Sequence, residues 1–341
     1  MTEFVDINHA DELDRFVEHH PKCHFMQTSA WGRVKSDWGW TGIICRDHSR
    51  MICGTMVVLR HTVHHTGSCM LYAPRGPIFY DGDFRTFEEL IEAARQLARE
   101  CKAYLVRIDP MIEAGNTDFL ELTQKLGFQC NAASDFSLFQ PRMCYVTDLQ
   151  GHTPESLLAF YNRTKRYDIR TAERRGVTVR MGGLEDMPDF VRMMTETADR
   201  CGFSARSAEY YRTFLIELGD IAKLYIAEKE GKTIAATMTA ELGNRVWHMY
   251  ACSDSAYRAD FANELLQWEM QRYAVEHGYR WFDFRGVEGY PVKDNPKYGL
   301  HHYKQGFGAQ FHDYIGQLDL ITRPHMEKAI RCLQNIALKK R

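Results

Sequence analysis

The sequence predicts a chain of α/β (α+β) class built from two tandem copies of one unit. Three observations carry this expectation. At 341 residues, 45% of them hydrophobic and 26% charged, the chain is long enough for two separate cores. The order helix, strand, acid at the strand end, loop and glycine-closed helix occurs twice, so that YLVRID (104–109) and RWFDFR (280–285) occupy equivalent places. Residues 222–228, 232–242 and 245–253 read as three strands joined by tight turns, an antiparallel meander.

Taken in order, residues 9–20 read as a helix and FMQTSAWGRVKSDWGW (25–40) as a short helix bearing three tryptophans and Lys35. The tryptophans suit a core stripe and the lysine a solvated position. Strands follow at 42–46 and 51–60 around a turn at 47–50. The HTVHH run (61–65) reads as a strand end and turn, because no Cys, Asp or Glu lies near enough to complete a metal site; no metal is expected. LYAPRGPIF (71–79) is a short strand whose Pro-Arg-Gly-Pro turn would hold Arg75 in one direction. Thr86 and Glu89 have the spacing of a capping box, opening a helix with Leu90, Ala94, Leu97 and Ala98 on its apolar face. The strand 104–108 then ends at Asp109-Pro110, and a helix from 117 closes at Gly127.

Thr153-Pro154 start a helix that runs to about residue 175, where Gly176 stops it. It carries Arg163, Lys165, Arg166, Arg170, Arg174 and Arg175 against few acids, which is either a solvated basic face or a phosphate-binding surface. A strand (177–181), a helix (187–200), a turn (201–206) and a helix from 207 lead into the meander. A helix (261–277) and a strand ending at 284 follow. The loop after it is long, polar and glycine-bearing, with Arg285, Glu288, Lys293, Asp294 and Lys297; such loops tend to carry function. A helix from 298 bears Lys304 and stops at Gly306. A last amphipathic helix from 324 ends in Lys339-Lys340-Arg341 and is expected to return to the first domain. The domains are thus 1–148, completed by 320–341, and 149–319.

The formal net charge of −2 excludes a global field toward polyanions, so such partners need local patches. The acidic N-terminus lacks a leader's apolar segment and no apolar run reaches spanning length, which points to a cytoplasmic protein. Ten cysteines, scattered singly without a CxxC pair, read as reduced core thiols.

Helices, a meander, a long helix and the strand after it resemble the acyl-CoA-dependent N-acetyltransferase (GNAT) fold. In that fold a glycine-rich turn lets backbone N–H groups reach a pyrophosphate. Here the turn is YRADFANELL (257–266), with Asp260 and Ala262 where the glycines belong, and the first copy has Asp83 at its corresponding turn. A carboxylate at a helix mouth repels pyrophosphate, so neither coenzyme A nor another cofactor is expected.

The segments FMQTSAWGRVKSDWGW, YAPRGPIF, VRIDP, NRTKRYDIRTAERRGV, ETADRCGFSARSAEYY, WHMYACS, NELLQWEMQRYAVEHGYRWFDFRGV and GLHHYKQGFGA, in this order, resemble the FemABX peptidyltransferases over nearly the whole length. The resemblance implies two tandem GNAT-like domains and transfer of an amino acid from aminoacyl-tRNA to the stem-peptide amine of a peptidoglycan precursor, UDP-MurNAc-pentapeptide or lipid II. No heptad-rich insertion is present, so the chain looks like the compact, arm-less type that tends to use the nucleotide-linked precursor; peripheral membrane contact stays open. Tyr303-Lys304-Gln305-Gly306-Phe307 matches the family's FK-x-GF motif and implies that Lys304 stabilises the oxyanion, with Tyr303 keeping the ring of the motif's phenylalanine. Read by itself, Lys304 is a lysine complementing a helix C-terminus. Asp109 matches a strand-end acid that acts as base or orients the amine; read by itself it is a turn former. Lys35 and Arg206 match the cations that grip the precursor's diphosphate, with Tyr210, Tyr211 and Tyr250 near the stem or nucleotide and Arg75 as a further candidate. Arg163, Lys165, Arg166 and Arg170 are candidates for tRNA phosphates. Two other readings remain: another enzyme of this fold, either a tRNA-dependent peptidyltransferase of secondary metabolism or an acetyltransferase, and a non-catalytic module that binds precursor or tRNA.

Overall fold

The computed structural model describes residues 1–339, with side chains through Leu333; Lys340 and Arg341, expected in the last helix, lie outside the described residues. The chain opens with β1 (Thr2–Val5), α1 (Asp11–His19), α2 (Ser29–Val34), β2 (Gly39–Arg46), β3 (Ile52–Val63), β4 (Ser68–Ala73) and β5 (Ile78–Phe79). It continues with α3 (Phe84–Glu100), β6 (Ala103–Ile108), α4 (Thr117–Lys125) and β7 (Phe128–Asn131). Next come β8 (Met143–Asp148), α5 (Pro154–Phe160), α6 (Arg163–Arg174), β9 (Thr178–Gly182), α7 (Met187–Cys201), α8 (Ala208–Leu218), β10 (Ala222–Lys229), β11 (Lys232–Leu242) and β12 (Arg245–Ser253). The rest is α9 (Ala262–Glu276), β13 (Trp281–Val287), α10 (Tyr298–Gln305), β14 (Gln310–Asp313), β15 (Gln317–Ile321) and α11 (Pro324–Lys339).

Two compact units result: Met1–Arg142 with Asp313–Arg341, and Met143–His312. Each holds one sheet. The first runs β1-β2-β3-β4-β6-β15-β7, with β5 on β3; the second runs β14-β8-β13-β12-β11-β10-β9. In each, an antiparallel meander feeds a crossover helix and a parallel strand: β4 pairs in parallel with β6 across α3, and β12 with β13 across α9. The crossover helix supplies the core. Leu90, Ile91 and Ala94 of α3 bury against Val58, Leu71 and Val106, while Leu265, Leu266 and Met270 of α9 bury against Tyr145, Val246 and Phe282. Ile330 of α11 packs on Met70, Tyr72 and Leu105 in the first unit. No helix among the described residues is long and apolar enough to cross a membrane.

Strand pairing moves both expected domain boundaries. β8 hydrogen-bonds to β13 and so lies in the second sheet, which puts the first break at 142/143 rather than 148/149. β15 inserts between β6 and β7, so the second break falls at 312/313 rather than 319/320. Two helix starts also differ. Asp83, not Thr86, caps α3, accepting from the Thr86 N–H at 3.1 Å; Thr86 is turned inward, and Glu89 takes the N-terminal ammonium instead. The single helix expected from 154 to 175 is two, because Tyr161 turns extended and buries its ring against Trp268 and Phe307. Asn162 then caps α6 through the Lys165 N–H at 2.9 Å. Cys130, Cys201 and Cys332 are exposed, so core thiols describe only part of the cysteine set. Two pairs are also neighbours, Cys45 with Cys53 and Cys69 with Cys101, their sulfurs 3.6 and 3.5 Å apart.

Candidate functional site

In the second unit the sheet opens. β12 and β13 pair only at Arg245 with Trp281, Val246 with Phe282 and Trp247 with Asp283; beyond them the parallel ladder stops. An irregularity sits at that point on each strand. Against β11, the register of β12 shifts between Tyr250 and His248, leaving Met249 as the extra residue. Against β8, the register of β13 shifts between Asp283 and Gly286, and Arg285 takes a φ of 63°. Bulges bend a strand and increase its twist, so bulges on both members of the pair drive them apart.

Carbonyls of a strand that has left its neighbour need other donors. Lys304 of α10 supplies them: its Nζ donates to the carbonyls of Phe284 at 2.8 Å, Arg285 at 3.0 Å and Gly286 at 2.7 Å. An ammonium has three protons, so in this arrangement all are used. The Asp283 carboxylate secures the same bulge by accepting from the Arg285 N–H at 2.7 Å. Lys304 is 6% exposed, and burial pulls its pKa down to about 8, which leaves it mainly charged at neutral pH. Its neighbour Tyr303 faces elsewhere, packing on Phe307 with the Lys165 ammonium 4.0 Å from its ring centre; burial pushes its phenol well above the ordinary range.

His248 is the first residue of β12 past the last rung. The Gln267 side-chain amide of α9 meets its Nε2 at 2.9 Å, and the Phe284 ring lies 6.5 Å away across the opening. Burial, with the Lys304 charge adding to it, holds the imidazole pKa down to about 3, so the ring is neutral.

Beside the opening stands an aromatic and arginine cluster. Tyr210 and Tyr250 share a hydrogen bond between hydroxyls at 3.0 Å, and Tyr211 and Phe214 pack edge-on against Tyr250. The exposed Arg206 lays its guanidinium 5.5 Å from the Tyr210 ring centre, and its backbone N–H donates to the Tyr211 hydroxyl at 3.1 Å. Burial raises the phenol pKa of Tyr210 and Tyr250, while the charges of Arg206 and Arg285 pull the other way, so both cations face this cluster. The structure therefore brings Arg206, Tyr210, Tyr211 and Tyr250 together and adds Arg285. His248 and Gln267 had no role in the sequence reading, and Arg285 stood there only as one of the charged residues of the loop after 284. An Arg-Gly directly after a strand is a local signal that could have marked a bulge, whereas the pairing of His248 with Gln267 has none.

The basic helix divides. Arg163 and Arg170 are exposed on α6 and line one groove with Arg166, Arg174 and the exposed Tyr167. Arg166 also donates to the Ala159 carbonyl at 2.9 Å. Lys165 corrects the expectation: it is buried, paired with Glu264 at 2.8 Å beneath Tyr303 and Phe307, because it shares the inward face with Ile169 and Ala172.

In the first unit, Asp109 is buried and accepts from the Tyr72 hydroxyl at 2.7 Å and the Arg75 N–H at 2.5 Å. Burial raises its pKa to about 6, with the Arg75 charge pulling it back. Arg75 is itself 3% exposed, with a φ of 58°; it donates to the Pro141 carbonyl at 2.7 Å and lies 5.6 Å from the Tyr314 ring centre. That burial corrects its expected place as a precursor contact. Lys35 ends α2, half-buried, with its ammonium 5.2 Å from the Trp31 ring centre.

The FemAB family model matches residues 9–230 and 227–335. A lipid II:glycine glycyltransferase of Staphylococcus saprophyticus is 26% identical, the alignment covering 93% of this chain and 92% of that protein. One of Staphylococcus aureus is 25% identical over 94% and 93%. Among solved structures, the crystal structure of FemX superposes with a TM-score of 0.88 over 97% of this chain and 99% of its own, at 22% identity. A tandem GNAT protein from the clavulanic acid biosynthesis pathway gives 0.57 over 94% and 98%, at 12% identity. At these identities the two structures speak to fold alone, and the fold is the tandem GNAT arrangement.

Proposed function

We propose, from the premise that this chain belongs to the FemAB family, that it is an aminoacyltransferase moving an amino acid from aminoacyl-tRNA to the stem-peptide amine of a peptidoglycan precursor. The observation that carries the reading is the opening between β12 and β13, clamped by the buried Lys304 ammonium. An acyl ester laid between parted strands is shielded from water and sits beside a fixed charge, where electrostatic stabilisation is strong.

The reaction is aminolysis. The amine attacks the ester carbonyl, a C–N bond forms, the oxyanion collapses, and the bond to the ribose oxygen breaks. The proton lost by the amine goes to that leaving oxygen. Lys304 stabilises the oxyanion through its charge while its protons stay on the carbonyls of β13. Tyr303 contributes by seating α10 against Phe307. Asp109, with both oxygens engaged, orders Tyr72 and the backbone at Arg75.

Arg206, aided by Arg285 and the hydroxyls of Tyr210 and Tyr250, suits the precursor's diphosphate, since guanidinium binds phosphate oxygens in pairs. Tyr211 holds the Arg206 backbone, and Lys35 remains the first unit's candidate phosphate contact. Arg163, Arg166 and Arg170 suit tRNA phosphates, which makes activity fall with salt. Against acetyl-CoA as donor stands Asp260 at the mouth of α9, paired with Lys229 at 2.9 Å and Arg175 at 3.6 Å. The names of the relatives support glycine as the transferred residue and, of the two acceptors the sequence left open, lipid II.

The test is transfer of labelled glycine from charged tRNA to lipid II and, in parallel, to UDP-MurNAc-pentapeptide. Label is expected on lipid II, and Arg206→Ala should raise the acceptor's KM about 10-fold or more with little change in kcat, the loss of one charged hydrogen-bonding group. No label on either acceptor with any charged tRNA would sink the reading.

A further inference from the structure

With all three Lys304 protons held by backbone carbonyls, that ammonium has no N–H left for the oxygen of an acyl group placed in the opening between β12 and β13. Charge alone stabilises an oxyanion less well than charge with an aligned donor. We infer that the Nδ1–H of His248 meets the acyl carbonyl at this opening, as a further catalytic residue. The inference rests on the aminoacyl-transfer reading above.

The geometry supports it in three ways. His248 is the first residue of β12 beyond the last rung with β13, so it stands where the strands part. Its Nε2 receives the Gln267 amide N–H at 2.9 Å, and an imidazole that accepts at Nε2 carries its single proton on Nδ1. Nδ1 makes no hydrogen bond among the described residues, so its proton is left for an incoming oxygen.

The surroundings keep that donor in one form. Burial and the Lys304 charge both oppose a second proton on the ring, so the imidazole stays neutral through the physiological range. A neutral imidazole donates to a developing oxyanion without adding a second positive charge beside the attacking amine. Lys304 then supplies charge and His248 supplies direction, and Gln267 is the positioning residue that sets the tautomer. No proton leaves His248 in this step. It shares the Nδ1 hydrogen with the oxyanion and recovers it fully when the carbonyl reforms.

The test joins kinetics to spectroscopy on the full chain. His248→Ala should lower kcat for aminoacyl transfer about 100-fold, the usual effect of removing one oxyanion donor, with KM for donor and acceptor within about 2-fold. His248→Asn, whose amide nitrogen can take the place of Nδ1, should restore a measurable part of kcat. With histidine labelled by nitrogen-15, the resonance lost in His248→Asn should show the Nδ1–H tautomer and no titration down to pH 5. Full kcat in a folded His248→Ala would overturn the inference. So would an Nε2–H tautomer, which a reversed Gln267 amide requires, or titration above pH 6. Should His248→Ala fail to fold, the Asn variant and the tautomer decide. A wild-type chain that transfers to no acceptor defeats the reading on which the inference rests; an active wild type with an equally active alanine variant defeats the inference alone.

Discussion

Lys304 holds the carbonyls of β13, and that observed duty can be separated by measurement from the proposed one, charge at the oxyanion. Replacing it with methionine keeps the bulk but leaves the Phe284, Arg285 and Gly286 carbonyls without their donor. Each orphaned buried acceptor costs about 1–3 kcal/mol, so Lys304→Met should lower the urea midpoint of the second unit markedly. Activity lost beyond the fall in folded fraction then reports the charge. Asp109 offers a second test, through pH. Its folded pKa of about 6 lies above that of a free carboxylate, so the native state holds the proton more tightly. The resulting stabilisation is complete below about pH 4 and is lost as pH rises through 6. Wild type minus Asp109→Asn, compared by unfolding across pH 3.5 to 7, should show that one-proton decline; parallel profiles would refute it. Neither environment could be read in the sequence. Lys304 stood out by motif, but its acceptors lie some twenty positions back along the chain, on a bulge that only the pairing of β13 with β8 defines.

At the scale of elements, the central strands were the most legible. β11 and β12 are alternating or apolar through their length and bounded by Gly231, Gly243 and Asp254, and the predicted spans match. β1, β7, β8, β14 and β15 were not foreseen. They are four to six residues long, and each depends on a partner strand whose identity no local pattern announces. The break between α5 and α6 hid for a different reason: Tyr161-Asn162 does not interrupt helical periodicity, and only the burial of Tyr161 demands the turn. A signal for the fate of Lys165 did exist. Lys165, Asp168, Ile169 and Ala172 follow the helical spacing of a buried stripe, whereas Arg163 and Arg170 fall outside it. Asn162→Ala should lower stability by about 1 kcal/mol through loss of the α6 cap. The companion Arg163→Ala should leave the unfolding curve unchanged, since no ion pair of that exposed side chain is seen among the described residues.

For the whole molecule, the repeat was readable because both copies keep the same sequence of helix and parallel strand. The return of the C-terminal segment to the first domain was expected; what the repeat concealed is that it brings a strand, β15, which lies between β6 and β7, hydrogen-bonded to both. A chain ended at His312 should therefore lose hydrogen-exchange protection in β6 while β10, β11 and β12 keep theirs, because the second sheet draws no strand from beyond residue 313. Equal protection of β6 in the shortened and full chains would contradict this. During synthesis the same insertion reverses the order of maturation. The ribosome delivers the first unit's leading segment early, then roughly 180 residues before β15, a delay on the order of 10–40 s at bacterial elongation rates. Through that interval β6 waits with an unfilled edge, the kind of surface on which nascent chains meet chaperones or one another. The second unit, contiguous and already released, can mature first, so the amino-terminal half of the polypeptide is the last to be finished.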